Sequence, residues 1–428
     1  MLKSIGKSVI ERSLSMFPCA ILFCLFFMGF SHSVTAQTPF ENMDNNHDGR
    51  LSRSEFRGPP RAFMGLDGNK DGYISRHEAS GTRLSGDVHG PKQFEKRPPS
   101  VIPAELIYVD THNHLVGPRK MGEIHLEKSA RIALKAMDAT GVKMNLLLPM
   151  PQTANQKFRL YFEDLSPIVR KYPRRFAALG GGGSLNVMIR KAVQQGQVTN
   201  EMGNEFDARA SELVRNGAVG FGEMTAEHFS MTGNHPYETA PPDHPLFLRL
   251  ADLAARYDLP IDIHMEAIPK EMPMPSRFKS PPNPRMLKPN IQAFSRLLAH
   301  NRNAKIIWVH LGWDNTGKRT IALTRRLLAE NSNLYMSIRI ASGMKKRNVV
   351  NPTFPLAEDG RLKPEWLALF QEFPDRFIMG SDEIIKPADN HPSAGSIRST
   401  MGMLDQLPPK LKARIGYGNA YRLYKLEK

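Results

Sequence analysis

Asp110-Thr111-His112-Asn113-His114, at the end of the apolar run that begins at Leu106, decides how this chain is read. In an extended segment, residues two apart point to the same side, so His112 and His114 offer two imidazoles to one face and the same parity puts Asp110 with them. Two nitrogen ligands at a strand end are the start of a metal site. Outward from this stretch, apolar runs of strand length recur at 106–110, 142–148, 176–179, 218–223, 260–264, 305–310, 334–340 and 377–382. Between them lie longer patterns such as 246–257 and 291–300, whose Leu and Ala spacing suits helices packed outside a parallel sheet. Eight such alternations predict an α/β fold, a (β/α)8 TIM barrel.

Active sites of such barrels form where strands end. Glu223 ends the fourth run, His264 the fifth, His310 the sixth and Asp382 the eighth. With His112 and His114 they make six metal-type side chains from five strands. His264 supplies a third nitrogen and Asp382 an oxygen, enough to hold one divalent ion with a position left for water. His310, across the mouth, suits either a second ion or acid/base work, and Glu223 is placed to bridge two ions. Arg339, near the end of the seventh run, suits a substrate carboxylate or an ion pair between strands. His228, Trp313 and Asp314 are expected to shape the pocket. The run Gly180–Gly183 lacks the Lys-Ser/Thr of a phosphate loop and reads as close packing at the mouth. The 266–290 loop, rich in proline, is expected to cover part of it.

The N-terminal part is of another kind. Asp44, Asn46, Asp48, the Arg50 carbonyl and Glu55 fall at positions 1, 3, 5, 7 and 12 of an EF-hand loop, and Asp67, Asn69, Asp71, the Tyr73 carbonyl and Glu78 repeat the pattern. Gly49 and Gly72 allow the sharp turn at position 6. Leu51 and Ile74 can pair the two loops through a short strand contact. Only residues 56–66 separate the loops, and Pro59-Pro60 lies among them, so two full flanking helices do not fit. Calcium as a structural staple is the first expectation, and calcium-dependent docking of a protein partner the second.

The first 36 residues carry Lys3, Lys7 and Arg12, an apolar run over 17–30 and the short residues Val34-Thr35-Ala36. This reads as an export signal cleaved before Gln37, because the run falls short of the roughly 20 residues that span a bilayer. A periplasmic or extracellular location follows. Both cysteines, Cys19 and Cys24, lie in that leader, so the mature chain would form no disulfide. The formal net charge is +16 over the whole chain, with 58 basic and 42 acidic residues spread along it. No dense basic block with interleaved aromatics argues for nucleic-acid binding. The expected organisation is a signal peptide (1–36), an EF-hand pair (37–79), a Pro/Gly/Ser-rich linker (80–103) and the barrel (104–428).

The chain resembles the amidohydrolase superfamily, in the amidohydrolase-related branch of hydrolases, lactonases and decarboxylases. The resemblance rests on Asp110–His114, on Leu259–His264, on Val309-His310-Leu311-Gly312, on Pro374–Asp382 (PDRFIMGSD) and on Gly418–Leu423. It implies that His112, His114, His264 and Asp382 bind one or two divalent ions, zinc above all. It implies too that Asp382 takes a proton from water while His310 assists. No Lys ends the fourth strand, so the carbamylated-lysine bridge of some members is absent and Glu223 stands in its place. The expected activity is hydrolysis of a C–O or C–N bond in a small, carboxylate-bearing molecule. Non-oxidative decarboxylation is the alternative with the same ligands, and a calcium-dependent binding protein on an inactive barrel the alternative of another class. Barrels of this kind often associate, so a homo-oligomer is compatible with the sequence.

Overall fold

A closed ring of parallel strands holds every metal-type residue at one end. The structure, a computed structural model, describes residues 40, 42–46, 50–67, 72–79 and 107–426, apart from 121–122, 154–155, 157–158, 232–235, 280, 343–352 and 388–393. The expected leader and linker lie outside the described residues, as do Asp48, Asn69 and Asp71. The chain divides into two units, residues 1–98 and 99–428.

In the first unit, strand Arg50–Ser52 pairs antiparallel with Tyr73–Ser75, and Leu51 stands opposite Ile74. Both side chains are buried, with Phe40 and Phe63 against them. Between the loops there is one seven-residue helix, Pro60–Leu66. Pro60 opens it at a position where no backbone N–H bond is required.

The second unit is the barrel. Its strands are β1 (Tyr108–Leu115), β2 (Val142–Leu147), β3 (Phe176–Ala178, resumed at Gly180–Gly181), β4 (Phe221–His228), β5 (Pro260–Met265), β6 (Lys305–Leu311), β7 (Leu334–Ile338) and β8 (Phe377–Met379, resumed at Glu383–Ile385). All eight sequence-predicted strands are present. β4 starts three residues later than expected and runs on to His228. Two broken strands close the ring: Gly180–Gly181 pairs with β4, and Glu383–Ile385 pairs with β1.

Helices flank the sheet as the apolar spacing requires. Helix Pro245–Tyr257, for example, buries Leu246, Phe247, Leu250, Ala251, Leu253 and Ala254 on one face. Each such large side chain is worth about 1.5–3 kcal/mol by burial. Pro245 and the His244 Nδ1 acceptor for the Leu246 N–H start the helix, and Asp258 at φ 54° ends it. Inside the ring, Val109, Leu146, Leu179, Ile307, Val309 and Ile378 pack on Leu423 and Tyr424 of the C-terminal helix Asn419–Tyr424. That helix closes the barrel floor, which confines the polar cluster to the opposite end. The 266–290 loop packs Ile268, Met274, Phe278 and Leu287 against Phe229, beyond β4, and Asn290 latches its base to the Glu266 carbonyl.

Candidate metal centre

Glu223 is the hub of the site. Its Oε2 lies 3.4 Å from Nε2 of both His112 and His114. Its Oε1 lies 2.9 Å from His264 Nδ1 and 3.2 Å from His310 Nε2. Asp382 Oδ1 is 3.2 Å from His114 Nε2, and Arg339 Nη1 is 2.8 Å from Asp382 Oδ2. All six sequence-predicted residues therefore meet in one place, and all are buried or nearly so. Ligand atoms converge within 4.8 Å in two groups among the described residues: His112, Glu223 and His310, and His112, His114 and Asp382. His264 joins the cluster through Glu223 and belongs to neither group.

Local backbone explains the convergence. Along β6, Ile307 and Val309 face the interior, while Trp308 packs outside. Regular alternation would turn His310 outward as well. Instead His310 has φ 63°, and Gly312 follows at φ 98°. Asp382 is likewise at φ 55°, in the break of β8, where its N–H donates to the His112 carbonyl at 2.9 Å. Left-handed backbone at residues other than Gly costs on the order of 1–3 kcal/mol each, and it swings both side chains over the mouth. Ser337 Oγ accepts from the His310 N–H at 3.3 Å and helps hold that turn.

Asp110 departs from the sequence expectation. It turns into the β8 break, where Ser381 donates to it from both its N–H (2.8 Å) and its hydroxyl (2.5 Å). A register irregularity between Asp110 and Asn113 interrupts the alternation, so Val109 and His112 point inward and Asp110 does not. Burial pushes the Asp110 carboxyl up to about 6 despite the Ser381 bonds. Asp110 thus pins the residue that precedes Asp382.

The hydrogen bonds fix how the imidazoles present themselves. A carbonyl can only accept, so His114 Nδ1, 2.9 Å from the Leu148 oxygen, carries a proton, and Nε2 is the nitrogen turned to Glu223 and Asp382. His112 Nδ1 faces Asp262 Oδ2 at 3.5 Å, and its Nε2 points at Glu223. His112 Nε2 is fully buried with no hydrogen-bond partner among the described residues, an arrangement that a coordinated cation would satisfy. Burial opposes charge on His112, His114 and His264, yet the carboxylates outweigh it and push their pKa values up to about 10, 9 and 9. Glu223 is held well below its ordinary range, because the surrounding imidazoles, His112 first, overcome its burial. For His310 burial wins, pushing it down to about 3. Buried carboxylates among imidazoles call for positive charge, and this donor set of neutralisable nitrogens and carboxylate oxygens fits a divalent transition ion.

Other expectations resolve in detail. Arg339 makes the ion pair, with Asp382, and stacks on Trp313 at 4.4 Å, while its Nε has no hydrogen-bond partner among the described residues. Asp314 holds the turn after β6, its oxygens accepting from the backbone N–H groups of Thr316, Gly317 and Arg319. The His228 ring centroid is 4.4 Å from that of His264. Gly182 and Gly183 are close-packed as expected, since a Cβ on either would strike the carbonyl oxygen of Pro149 or Leu160. Sequence reasoning missed Asp262 and Glu266. Both sit two positions from His264, and that parity was the signal that could have found them. Glu266 Oε1 is 3.9 Å from His264 Nε2 and accepts from Asn315.

In the EF-hand unit, Glu55 and Glu78 each accept a backbone N–H from the serine three residues before, Ser52 and Ser75, at 2.9 and 2.8 Å. Asp67 Oδ2 accepts from Gly72 N–H at 3.1 Å. Asp44 is buried, whereas Asn46, Arg50 and Tyr73 are exposed. The two loops thus hold their last ligand position in the same way.

Residues 109–426 match a family model described as amidohydrolase, and residues 39–58 match one described as EF hand. Among solved structures, the chain is similar to a probable 2-pyrone-4,6-dicarboxylic acid hydrolase from Acinetobacter baumannii with citric acid bound (13% identity, 74% of this chain and 99% of that one, TM-score 0.42). It is also similar to a 2,6-dihydroxybenzoate decarboxylase complexed with 2,6-dihydroxybenzoate (15%, 75% and 99%, 0.43). A third is an amidohydrolase from Burkholderia multivorans with bound zinc (12%, 75% and 100%, 0.40). No curated protein matches the chain.

Proposed function

The chain belongs to the amidohydrolase family, and from that premise we propose a zinc-dependent hydrolase that cleaves a C–O or C–N bond of a small carboxylate-bearing molecule. The observation that carries the reading is His112 Nε2, buried without a hydrogen-bond partner and converging with His114 and Asp382 on one side and Glu223 and His310 on the other. His112, His114, Asp382 and Glu223 would hold the ion. A divalent ion held there would lower the pKa of water toward neutrality and would polarise the scissile group.

The side chains divide the remaining work. Arg339 pairs with Asp382 Oδ2, which leaves Oδ1, on the His114 side, both to face the ion position and to accept the proton of the attacking water. His310, held neutral, keeps a proton on Nε2 opposite the carboxylates and can donate it to the oxygen on which charge develops. Arg339, paired with Asp382, stacked on Trp313 and with an Nε that has no hydrogen-bond partner among the described residues, is the cation assigned to receive a substrate carboxylate. Calcium in the N-terminal loops serves that unit's own fold, and the exported protein starts at Gln37.

The test is product analysis in ¹⁸O-labelled water with lactones, amides and aromatic carboxylates as candidate substrates. Label in the product establishes hydrolysis. Release of carbon dioxide with no label incorporated overturns it in favour of decarboxylation by the same residues. N-terminal sequencing of protein recovered from the periplasm or medium checks export, and a retained Met1 refutes it.

A further inference from the structure

A chain of polar groups rises from the barrel floor to His112, and the catalytic reading leaves two of them, Tyr424 and Asp262, unused. Tyr424, on the C-terminal helix, donates its hydroxyl to Asp262 Oδ1 at 2.8 Å. The other oxygen of that carboxylate, Oδ2, lies 3.5 Å from His112 Nδ1. Tyr424, Asp262 and His112 are at most 1% exposed, inside an apolar ring that includes Val109, Ile307 and Ile378. Neither Asp262 Oδ2 nor His112 Nδ1 has a hydrogen-bond partner among the described residues, so their mutual approach is the polar contact the structure gives each. A buried carboxylate without compensation is costly, and here the compensation comes from a phenol below and an imidazole above.

We propose that Tyr424 and Asp262 are positioning residues for the metal centre: Asp262 holds the proton on His112 Nδ1, so that the Nε2 lone pair faces the cluster, and Tyr424 fixes the Asp262 carboxylate from the barrel floor. The proposal rests on the metal reading given above. A carboxylate on the far nitrogen of a ligating imidazole fixes its tautomer and ring orientation and raises its basicity. The low-dielectric surroundings strengthen both the Tyr424–Asp262 hydrogen bond and the Asp262–His112 approach. The relay also gives the C-terminal helix a part in the site. Asn419, at its start, donates to the carbonyls of Pro374 and Phe377 at 2.9 and 2.8 Å, so one short helix ties β8, which leads to Asp382, to the floor of β5.

The test measures zinc affinity of the whole, calcium-saturated protein by competition with a chromophoric chelator, with thermal stability recorded beside it. Asp262→Asn is expected to weaken zinc binding about 10- to 100-fold. Tyr424→Phe, which removes one buried hydrogen bond, should weaken it about 3- to 10-fold. The double variant should bind no worse than Asp262→Asn, because the tyrosine acts only through the aspartate. Wild-type zinc affinity in either single variant overturns the relay, and a Tyr424→Phe protein that loses stability but not affinity assigns the contact to floor packing alone. Should Asp262→Asn fail to fold, Tyr424→Phe carries the decision. A wild-type protein that takes up no zinc, or whose zinc is indifferent to His114→Ala, refutes the metal reading itself, a result distinct from failure of the relay alone.

Discussion

Replacing Glu227 by glutamine is expected to stabilise the barrel at alkaline pH and to leave it nearly unchanged in acid. Glu227 is 5% exposed near the end of β4, where Tyr237 donates to its Oε1 at 2.7 Å. Burial first, and the neighbouring Glu266 carboxylate further, push its pKa from 4.5 up to about 7, against the pull of Thr239, Tyr237 and Arg190. The folded state therefore holds this proton more tightly than the unfolded chain does. The stabilisation it brings is fully present below about pH 4.5 and is lost as pH rises through 7. At 1.36 kcal/mol per unit the whole effect is about 3 kcal/mol, of which about 2.5 kcal/mol falls between pH 5 and pH 8. Glutamine keeps an acceptor for Tyr237 and cannot ionise. Relative to wild type, the variant should thus gain about 2–3 kcal/mol on going from pH 5 to pH 8, or about 3–4 °C in thermal midpoint for a unit of this size. Differential scanning calorimetry at pH 5, 6, 7 and 8 measures it. A wild-type–variant difference that stays constant across that range refutes the account, since it would mean that Glu227 ionises in the fold as it does in water.

Three further outcomes follow from the geometry. His112→Ala/Asp382→Asn should lose both bound zinc in elemental analysis and at least about 10³-fold in turnover, and retained zinc would remove these residues from the ligand set. Gly182→Ala drives a methyl into the Pro149 carbonyl oxygen, so chemical denaturation should report a loss of at least about 1–3 kcal/mol; a neutral result would mean that the β3 turn has slack that the contacts deny. Ile74→Ala removes one of the four buried apolar side chains among the described residues of the EF-hand unit and should cost it about 2–4 kcal/mol, read as weaker calcium binding by titration calorimetry, whereas unchanged affinity would detach the small core from the loops.

The ring of eight strands was legible because each strand is buried along nearly its whole length and therefore carries a short cluster of apolar residues, broken mainly where polar groups are held inside. The six metal-type residues were legible because barrel chemistry gathers at strand ends, where a His or Asp interrupts such a run. Glu223, expected from the sequence to bridge two ions, is the hub, touching His112, His114, His264 and His310. Its centrality depends on distances across the mouth, which no local pattern encodes. Tyr424 was out of reach for the same reason, lying 162 residues from the aspartate it holds.

Alternation, the rule that found the histidines, also marks where sequence reading stops. It holds along β5, where Asp262 and His264 share the inward face, and it fails at three positions that matter. Between Asp110 and Asn113 a register shift sends Asp110 to Ser381 rather than to the mouth. At His310 and Asp382 a left-handed residue reverses the direction that a regular strand would give. Strict alternation would have pointed Asp110 inward and His310 outward, and the structure inverts both. Each inversion is held by contacts from another strand: Ser381 on Asp110, Ser337 on the His310 backbone, and the His112 carbonyl on the Asp382 N–H. The site is thus made by departures from regular structure, stabilised by neighbours far away in sequence. That is why the residue types at the strand ends could be read from the chain while their orientations could not.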